Sequence, residues 1–456
     1  MAQKKQTTMN KPITRFMKHL HLVGLFVLIA YQQVSAQSTM DLRQCIQYGL
    51  TNNAQIQQSQ LVVARTNEQR NETRAAYLPQ LDGSVSLTNN LQLQTSILPG
   101  EIIGQPGEEV AVQFGTKYNV MAGVDASQVL YSQSLIYGMK IAEKSSTISA
   151  ISAKKTEEQV IYDIASAFYA AQVSFTQQAI IASNIAQVDT LIRLTTIQFD
   201  NGFAKQIDLD RLTVNRTNLQ TDFDNSNQAY QQQLMMLKYY MGMPLDTQLE
   251  LPLIDSEANA VKLTDPEALN QTDLSLLQAQ QDLYSMQLKQ IKAGYIPTLS
   301  LAFHSGIQIQ QNDLRIFGKD ADWFPNSYVS LNLSIPIFDG LARNSRVKQM
   351  TFQLKESELS EQYLLQGLTM QRTNALSKLQ INQAALENQR RNIELSRKVY
   401  EVTQAQYTGG LVTLTELVNA ETALKESQTN YLQSLVQVKL AELELIKTTG
   451  TYTSLN

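Results

Sequence analysis

Groups able to do chemistry are few in this 456-residue chain, and their spacing does not suit catalysis. Of three histidines, His19 and His21 stand in a basic leader and His304 stands alone, so no histidine-based metal or catalytic cluster can form. The single cysteine, Cys45, excludes an internal disulfide and reads as a buried, inert thiol. Met235, Met236, Met241 and Met243 could line a soft-metal path, but methionine fills irregular gaps at helix ends and core filler is the favoured reading. No enzyme, metal or cofactor is expected. The net charge of −4 leaves no electrostatic footprint for nucleic acid. Among 41 aspartates and glutamates, Asp208 and Glu416 stand out, each six residues past a glycine, Gly202 or Gly410. Carboxylates held in a narrow passage gather cations and repel anions.

That pairing belongs to a long internal repeat. Gln198 aligns with Gln406, and a constant offset of 208 holds without a gap to Gly242 and Gly450. Phe199 meets Tyr407, Leu209 meets Leu417 and Phe223 meets Tyr431 within it. Ala75 to Leu81 recurs as Ala293 to Leu299, and Ser127 to Tyr131 as Ser334 to Phe338. Two copies of one unit are therefore expected, about 41–245 and about 262–450, packed around a pseudo-symmetry axis.

The leader spans residues 1–36. Lys4, Lys5, Lys11, Arg15 and Lys18 precede an apolar run from Leu22 to Ala30, and Val34-Ser35-Ala36 offers small residues for cleavage before Gln37. This predicts a secretory signal peptide, since the run is too short to span a bilayer as an uncleaved anchor. The expected mature chain is 37–456, and Gln37 offers no thiol for a lipid.

Helix-breaking residues almost vanish over long stretches. Met139–Asn201, Phe203–Met241 and Leu411–Thr449 hold no glycine or proline, and Leu341–Thr408 holds only Gly367. Leu379, Leu386, Ile393, Tyr400 and Tyr407 fall seven apart, as do Leu417, Leu424, Tyr431, Val438 and Leu445. Ala420, Ser427, Ser434 and Ala441 run beside the second stripe. A strict heptad keeps one seam against a partner helix, and small residues let the backbones approach. In the first copy Ile185, Ile192 and Phe199 occupy the matching phase. Each copy thus reads as a long antiparallel helical hairpin with its tip at Gly202-Phe203 or Gly410-Leu411.

Strand text sits at the other end of each copy, near 83–95, 117–130, 298–310 and 327–338. Val85, Leu87, Leu91 and Leu93 alternate with serine, threonine, asparagine and glutamine; Val120 to Ala126, Leu299 to Ile309 and Val329 to Ile335 do the same. Strands of about ten residues, apolar on one face and small-polar on the other, mark a transmembrane barrel. Residues 97–116 and 312–326 read as its loops. A soluble β-sandwich would alternate similarly, but four strands are too few for one. They are also too few to close a barrel, and an open edge in lipid leaves backbone groups unpaired. Other copies of the chain must complete it. The fold class is mixed: a duplicated unit of coiled-coil hairpins plus two strands each, with a barrel completed by oligomerisation.

The chain resembles the TolC-type outer-membrane factors. The marks are Tyr77-Leu78-Pro79-Gln80-Leu81 before the first strand, Ile335-Pro336-Ile337-Phe338-Asp339-Gly340 after the fourth, and Tyr407-x-x-Gly410 leading to Glu416-Leu417. The resemblance implies a homotrimer in outer-membrane lipid, a twelve-stranded barrel and a tunnel of twelve helices crossing the periplasm. It further implies an exit duct docking through its tips onto a periplasmic adaptor and an inner-membrane pump of RND or ABC type. By resemblance Asp208 and Glu416 stand where constriction acids lie. A second acid three residues on is Asn419 here, and Arg211 holds its first-copy counterpart. Tyr407 matches a tyrosine implicated in the closed state, while the arginine that partners it is replaced by Val412. The competing reading is a periplasmic coiled-coil scaffold or adaptor without a pore, which leaves the four amphipathic strands unexplained.

Overall fold

The computed structural model describes residues 39–104, 107, 109–254, 269–314, 318 and 321–455; the expected leader lies outside them. Two short helices open the chain, α1 (Leu42–Asn52) and α2 (Ala54–Ala75). Strands β1 (Gln80–Asn89), β2 (Gln94–Pro99), β3 (Glu109–Phe114) and β4 (Tyr118–Tyr131) follow. The first hairpin is α3 (Gln133–Asp200) and α4 (Gln206–Met241). The second copy runs α5 (Gln271–Ala293), β5 (Thr298–Gln311), β6 (Phe324–Ser334), α6 (Ala342–Thr408) and α7 (Leu414–Thr449).

The long helices have 68 and 67 residues and the returning ones 36 each. At about 1.5 Å per residue the long ones reach roughly 100 Å, almost twice their partners. Helices α2 and α5 cover the remaining length: α2 packs on α3, and α5 packs against both α3 and α6. Their short apolar text hid them in the sequence, for α2 buries only Ile56 and Thr66 fully. Matched asparagine caps hold both. Asn53 Oδ1 accepts from the Gln55 and Ile56 amides at 2.8 and 3.2 Å, while its amide donates to the Tyr240 carbonyl at 2.7 Å. Asn270 Oδ1 accepts from Thr272 N at 2.8 Å and its amide donates to the Lys447 carbonyl at 3.1 Å. Both side chains are buried where a short helix begins and a hairpin ends. The hairpins themselves end alike, on Gly242 and Gly450 at φ 70° and 71°. Around these feet lies the main core, which gathers Cys45, Ile46, Ile164, Phe168, Leu237, Met241, Leu443 and Ile446.

The second-copy heptad stripes face their seam: Leu417, Leu424, Val438 and Leu445 are buried, and Ser396 and Ser427 touch through their hydroxyls at 2.9 Å. In α3 the expected phase is corrected. The buried line is Ile181, Asn184, Val188, Leu191 and Thr195, whereas Ile185 and Ile192 flank it and Phe199 is exposed. Adjacent apolar columns on one helix compete for the seam, and the partner's shape selects between them.

The four main strands form one antiparallel sheet in the order β1-β4-β5-β6. Cross-strand rows keep the two faces distinct: Leu87, Val120 and Ile309 lie opposite one another, as do Leu81, Ala126, Phe303 and Val329. Three boundaries differ from the sequence reading. β1 starts at Gln80 and stops at Asn89, so Leu91 and Leu93 fall in the break after it. β6 starts at Phe324 and stops at Ser334, so Ile335–Phe338 is irregular. The expected loop 97–116 instead carries the hairpin β2-β3, which gives the first copy four strands rather than two. No described helix is long and apolar enough to cross a membrane.

Candidate functional site at the hairpin tips

Each tip is a helix stop built on a left-handed glycine. Gly202 has φ 78° and Gly410 has φ 74°, values that favour a residue without a Cβ. The Phe203 amide donates to Gln198 O at 2.8 Å and the Leu411 amide to Gln406 O at 2.9 Å, which closes the two C-termini the same way. Both following side chains project into solvent, with Phe203 86% and Leu411 79% exposed. A small core binds the tips from behind: Leu191, Leu212, Tyr400, Leu414, Leu417 and Leu424 come from all four hairpin helices.

Between the tips lies a cleft of about 800 Å³. Phe203, Asp208, Arg211, Tyr407, Gly410 and Val412 line it, while Gly202, Leu411, Glu416 and Asn419 are not on its wall. Asp208 sits in the first turn of α4, where Oδ2 accepts the Lys205 amide at 3.2 Å. Glu416 holds the equivalent place in α7, and its amide donates to the Thr413 hydroxyl at 3.4 Å. Acids in a first helical turn sit favourably against the positive end of the helix dipole. This local role does not consume them, because each carboxylate keeps further lone pairs for ions or water.

Polar side-chain contacts bridge the two hairpins along their length. The Tyr407 hydroxyl lies 3.1 Å from Thr195 Oγ1, and Arg211 Nη1 donates to Thr415 Oγ1 at 3.0 Å. Asn215 Nδ2 donates to Glu421 Oε2 at 2.8 Å, Lys425 Nζ pairs with Asp222 Oδ2 at 2.5 Å, and Asn184 Nδ2 donates to Gln428 Oε1 at 3.1 Å. Burial raises the Glu421 carboxyl, against the lowering effects of Asn215 and Lys425. Burial, then the Glu421 charge, pushes the Tyr400 phenol up to about 12, and its hydroxyl has no partner among the described residues. The sequence reading missed Thr195, Asn215 and Glu421. Glu421 had a visible signal: an acid between Leu417 and Leu424, four and three residues from them on the seam side of an otherwise apolar heptad. The methionine group divides, with Met241 and Met243 in the main core and Met235 and Met236 exposed.

The sequence profile of the outer membrane efflux protein family matches residues 45–243 and again residues 265–451. The chain belongs to this family. Outer membrane protein TolC of Salmonella enteritidis is 22% identical over 355 residues, covering 72% of this chain and 69% of that one. TolC of Escherichia coli strain K12 is 23% identical over 357 residues, covering 70% and 68%. The outer membrane protein VceC of Vibrio cholerae superposes with a TM-score of 0.70 at 14% identity, covering 90% of this chain and 96% of that one. The outer-membrane channel OprN gives 0.71 at 15%, covering 90% and 89%. An outer membrane efflux protein is a transport component, and its fold is that of these channels.

Proposed function

We propose that three copies of this chain form a passive duct from the periplasm to the cell exterior. The observation that carries this is the open sheet: β1 and β6 are its edges, neither has a strand on its outer side among the described residues, and its apolar face is exposed through Val85, Phe303, Val329 and Leu331. Unpaired strand edges in lipid cost several kcal/mol per group, so the sheet demands neighbours. The helices carry a matching demand. On α6, Phe352 and Leu359, Tyr363 and Met370, and Leu395 and Val402 are exposed apolar pairs seven residues apart, a second seam left open by the described residues. The family resemblance selects three copies, hence twelve strands and twelve long helical passages. A scaffold without a pore has no use for a four-stranded sheet that is apolar on one face and polar on the other.

Within this duct the tips face the periplasm. Phe203 and Leu411 offer small apolar contacts to the helical hairpin of an adaptor, which links the duct to an inner-membrane pump of RND or ABC type. Asp208, Glu416 and Asn419 ring the mouth there, with Tyr407 holding the hairpins together through Thr195. The substrate belongs to the pump. Native mass spectrometry in detergent is the test: a trimer is expected, and a stable monomer that still conducts ions would refute the reading. Heat-modifiable migration on gels after detergent extraction is expected as well, whereas a scaffold would extract without detergent.

A further inference from the structure

The four main strands contain three ionisable side chains of the Asp, Glu, His, Lys and Arg types, namely Asp82, Asp125 and His304, and all three fall in one cross-strand row. Asp82 pairs with Asp125, Asp125 with His304, and His304 with Tyr328, which spans the sheet from β1 to β6. The row lies on the polar face. Its neighbours two residues away along the strands are Ser84, Gly123, Gly306 and Asn326 on one side and Gln80, Ser127, Ala302 and Ser330 on the other. Side chains scattered for solubility would not collect at one level. A charge in a membrane-spanning strand is tolerated only toward water, so its placement marks the aqueous face.

The row is also built. His304 Nδ1 lies 2.7 Å from Asp125 Oδ1, and the imidazole stacks on Tyr328 with centroids 5.2 Å apart and planes at 24°. Beneath the ring lie two glycines that face each other in register, Gly123 and Gly306. A Cβ on Gly123 would come within 2.9 Å of the imidazole Cε1, and one on Gly306 within 3.0 Å of Nε2. The glycines therefore make the floor on which the histidine lies flat. Asp125 is engaged by the imidazole, whereas Asp82 is exposed and has no ion pair among the described residues.

We infer that this row is a second ion-selecting element, a girdle of carboxylates around the barrel lumen that favours cationic permeants and lies far from the periplasmic tips. It rests on the trimeric barrel proposed above, which repeats the row three times. His304 acts as a positioning residue that holds Asp125, and Asp82 supplies the least compensated charge. A barrel is wide, so the girdle acts through its field rather than by contact. Such a field spans the lumen only when the Debye length is long, about 10 Å at 0.1 M salt and about 30 Å at 0.01 M. Selection by the girdle should accordingly strengthen in dilute salt, while selection at a narrow mouth should persist in concentrated salt.

The test uses purified protein in planar bilayers under a dilute potassium chloride gradient, with Asp208→Asn/Glu416→Gln as the background that silences the tips. The cation-to-anion permeability ratio should fall by about twofold in Asp82→Asn and cross toward anions in Asp82→Lys. Asp125→Asn should act in the same direction as Asp82→Asn. That graded order follows charge, which a merely structural role would not produce. Reversal potentials unchanged in all three variants would overturn the girdle. Orientation is read separately with Ser84→Cys and Val85→Cys and a membrane-impermeant charged thiol reagent. Current block through Ser84→Cys alone supports the aqueous face assumed here. Block through Val85→Cys alone would instead overturn the barrel reading, and the girdle with it.

Discussion

Glu421 shows how one residue couples the two hairpins to pH. Its carboxyl is raised by burial, so the folded state holds the proton more tightly than the unfolded state does. The contribution is fully present below the ordinary glutamate value and is lost as pH rises through the raised one. Acidification from neutral should therefore tighten the contact between α4 and α7. Glu421→Gln keeps an oxygen for Asn215 and loses the charge. Its thermal unfolding midpoint is expected to exceed that of the wild type at neutral pH and to vary less across that window. The mouth acids make a separate prediction at this scale. Asp208→Asn/Glu416→Gln should reduce cation preference modestly, because Asn419 is neutral and Arg211 stands beside Asp208 on the cleft wall. A reversal potential under a concentrated salt gradient is the readout, and no change would leave these acids only their local places in the first helical turn.

At the scale of elements, polar joints fasten one helix to the next. Asn53 and Asn270 each serve two segments at once, capping a short helix and tying down the end of a hairpin. Asn53→Ala or Asn270→Ala removes the cap and strands a partly buried carbonyl, for a combined cost of about 2–4 kcal/mol. Differential scanning calorimetry should show a lower midpoint for each variant, and Asn→Asp should recover part of it by keeping the acceptor. The tip glycines test the other end of the hairpins. Gly202 and Gly410 need a left-handed conformation and have open space around their Cα atoms, so a side chain there strains a turn without striking a neighbour. Bulky charged replacements at both should abolish export with trimer yield unchanged. Normal export by that double variant would dismiss tip-to-tip docking.

Across the whole molecule, the described residues do not share a single globular core. One apolar cluster sits at the hairpin feet, a second lies behind the tips, and the sheet exposes its apolar face. In the assembly proposed above, neighbouring copies cover the two outer sheet edges and the exposed seam of α6. Isolated monomer, if trapped by charge reversal such as Leu359→Glu/Met370→Glu on that seam, should aggregate or stay misfolded rather than insert. Size-exclusion chromatography in detergent would show this, and a monodisperse, folded monomer would contradict it.

The sequence by itself determined much of what depends on consecutive residues. The duplication, the tip glycines, the heptad stripes of the second copy and the alternation along each strand all follow from local periodicity. The equivalence of Asp208 and Glu416 was legible for the same reason, as each follows its glycine by six residues. Tertiary structure decided what depends on partners. Two neighbouring apolar columns in α3 satisfy the same heptad, and only the surface of the opposing helices buries the Val188 line rather than the Ile185 line. Helix α2 has too weak an apolar stripe to announce itself and is held by α3 and by Asn53. Register decided most of all. Asp125 and His304 are 179 residues apart, and a slip of one residue between β4 and β5 would send one of them to the opposite face. Alternation names the face of each strand, but only the pairing of strands can bring Asp82, Asp125 and His304 to one level.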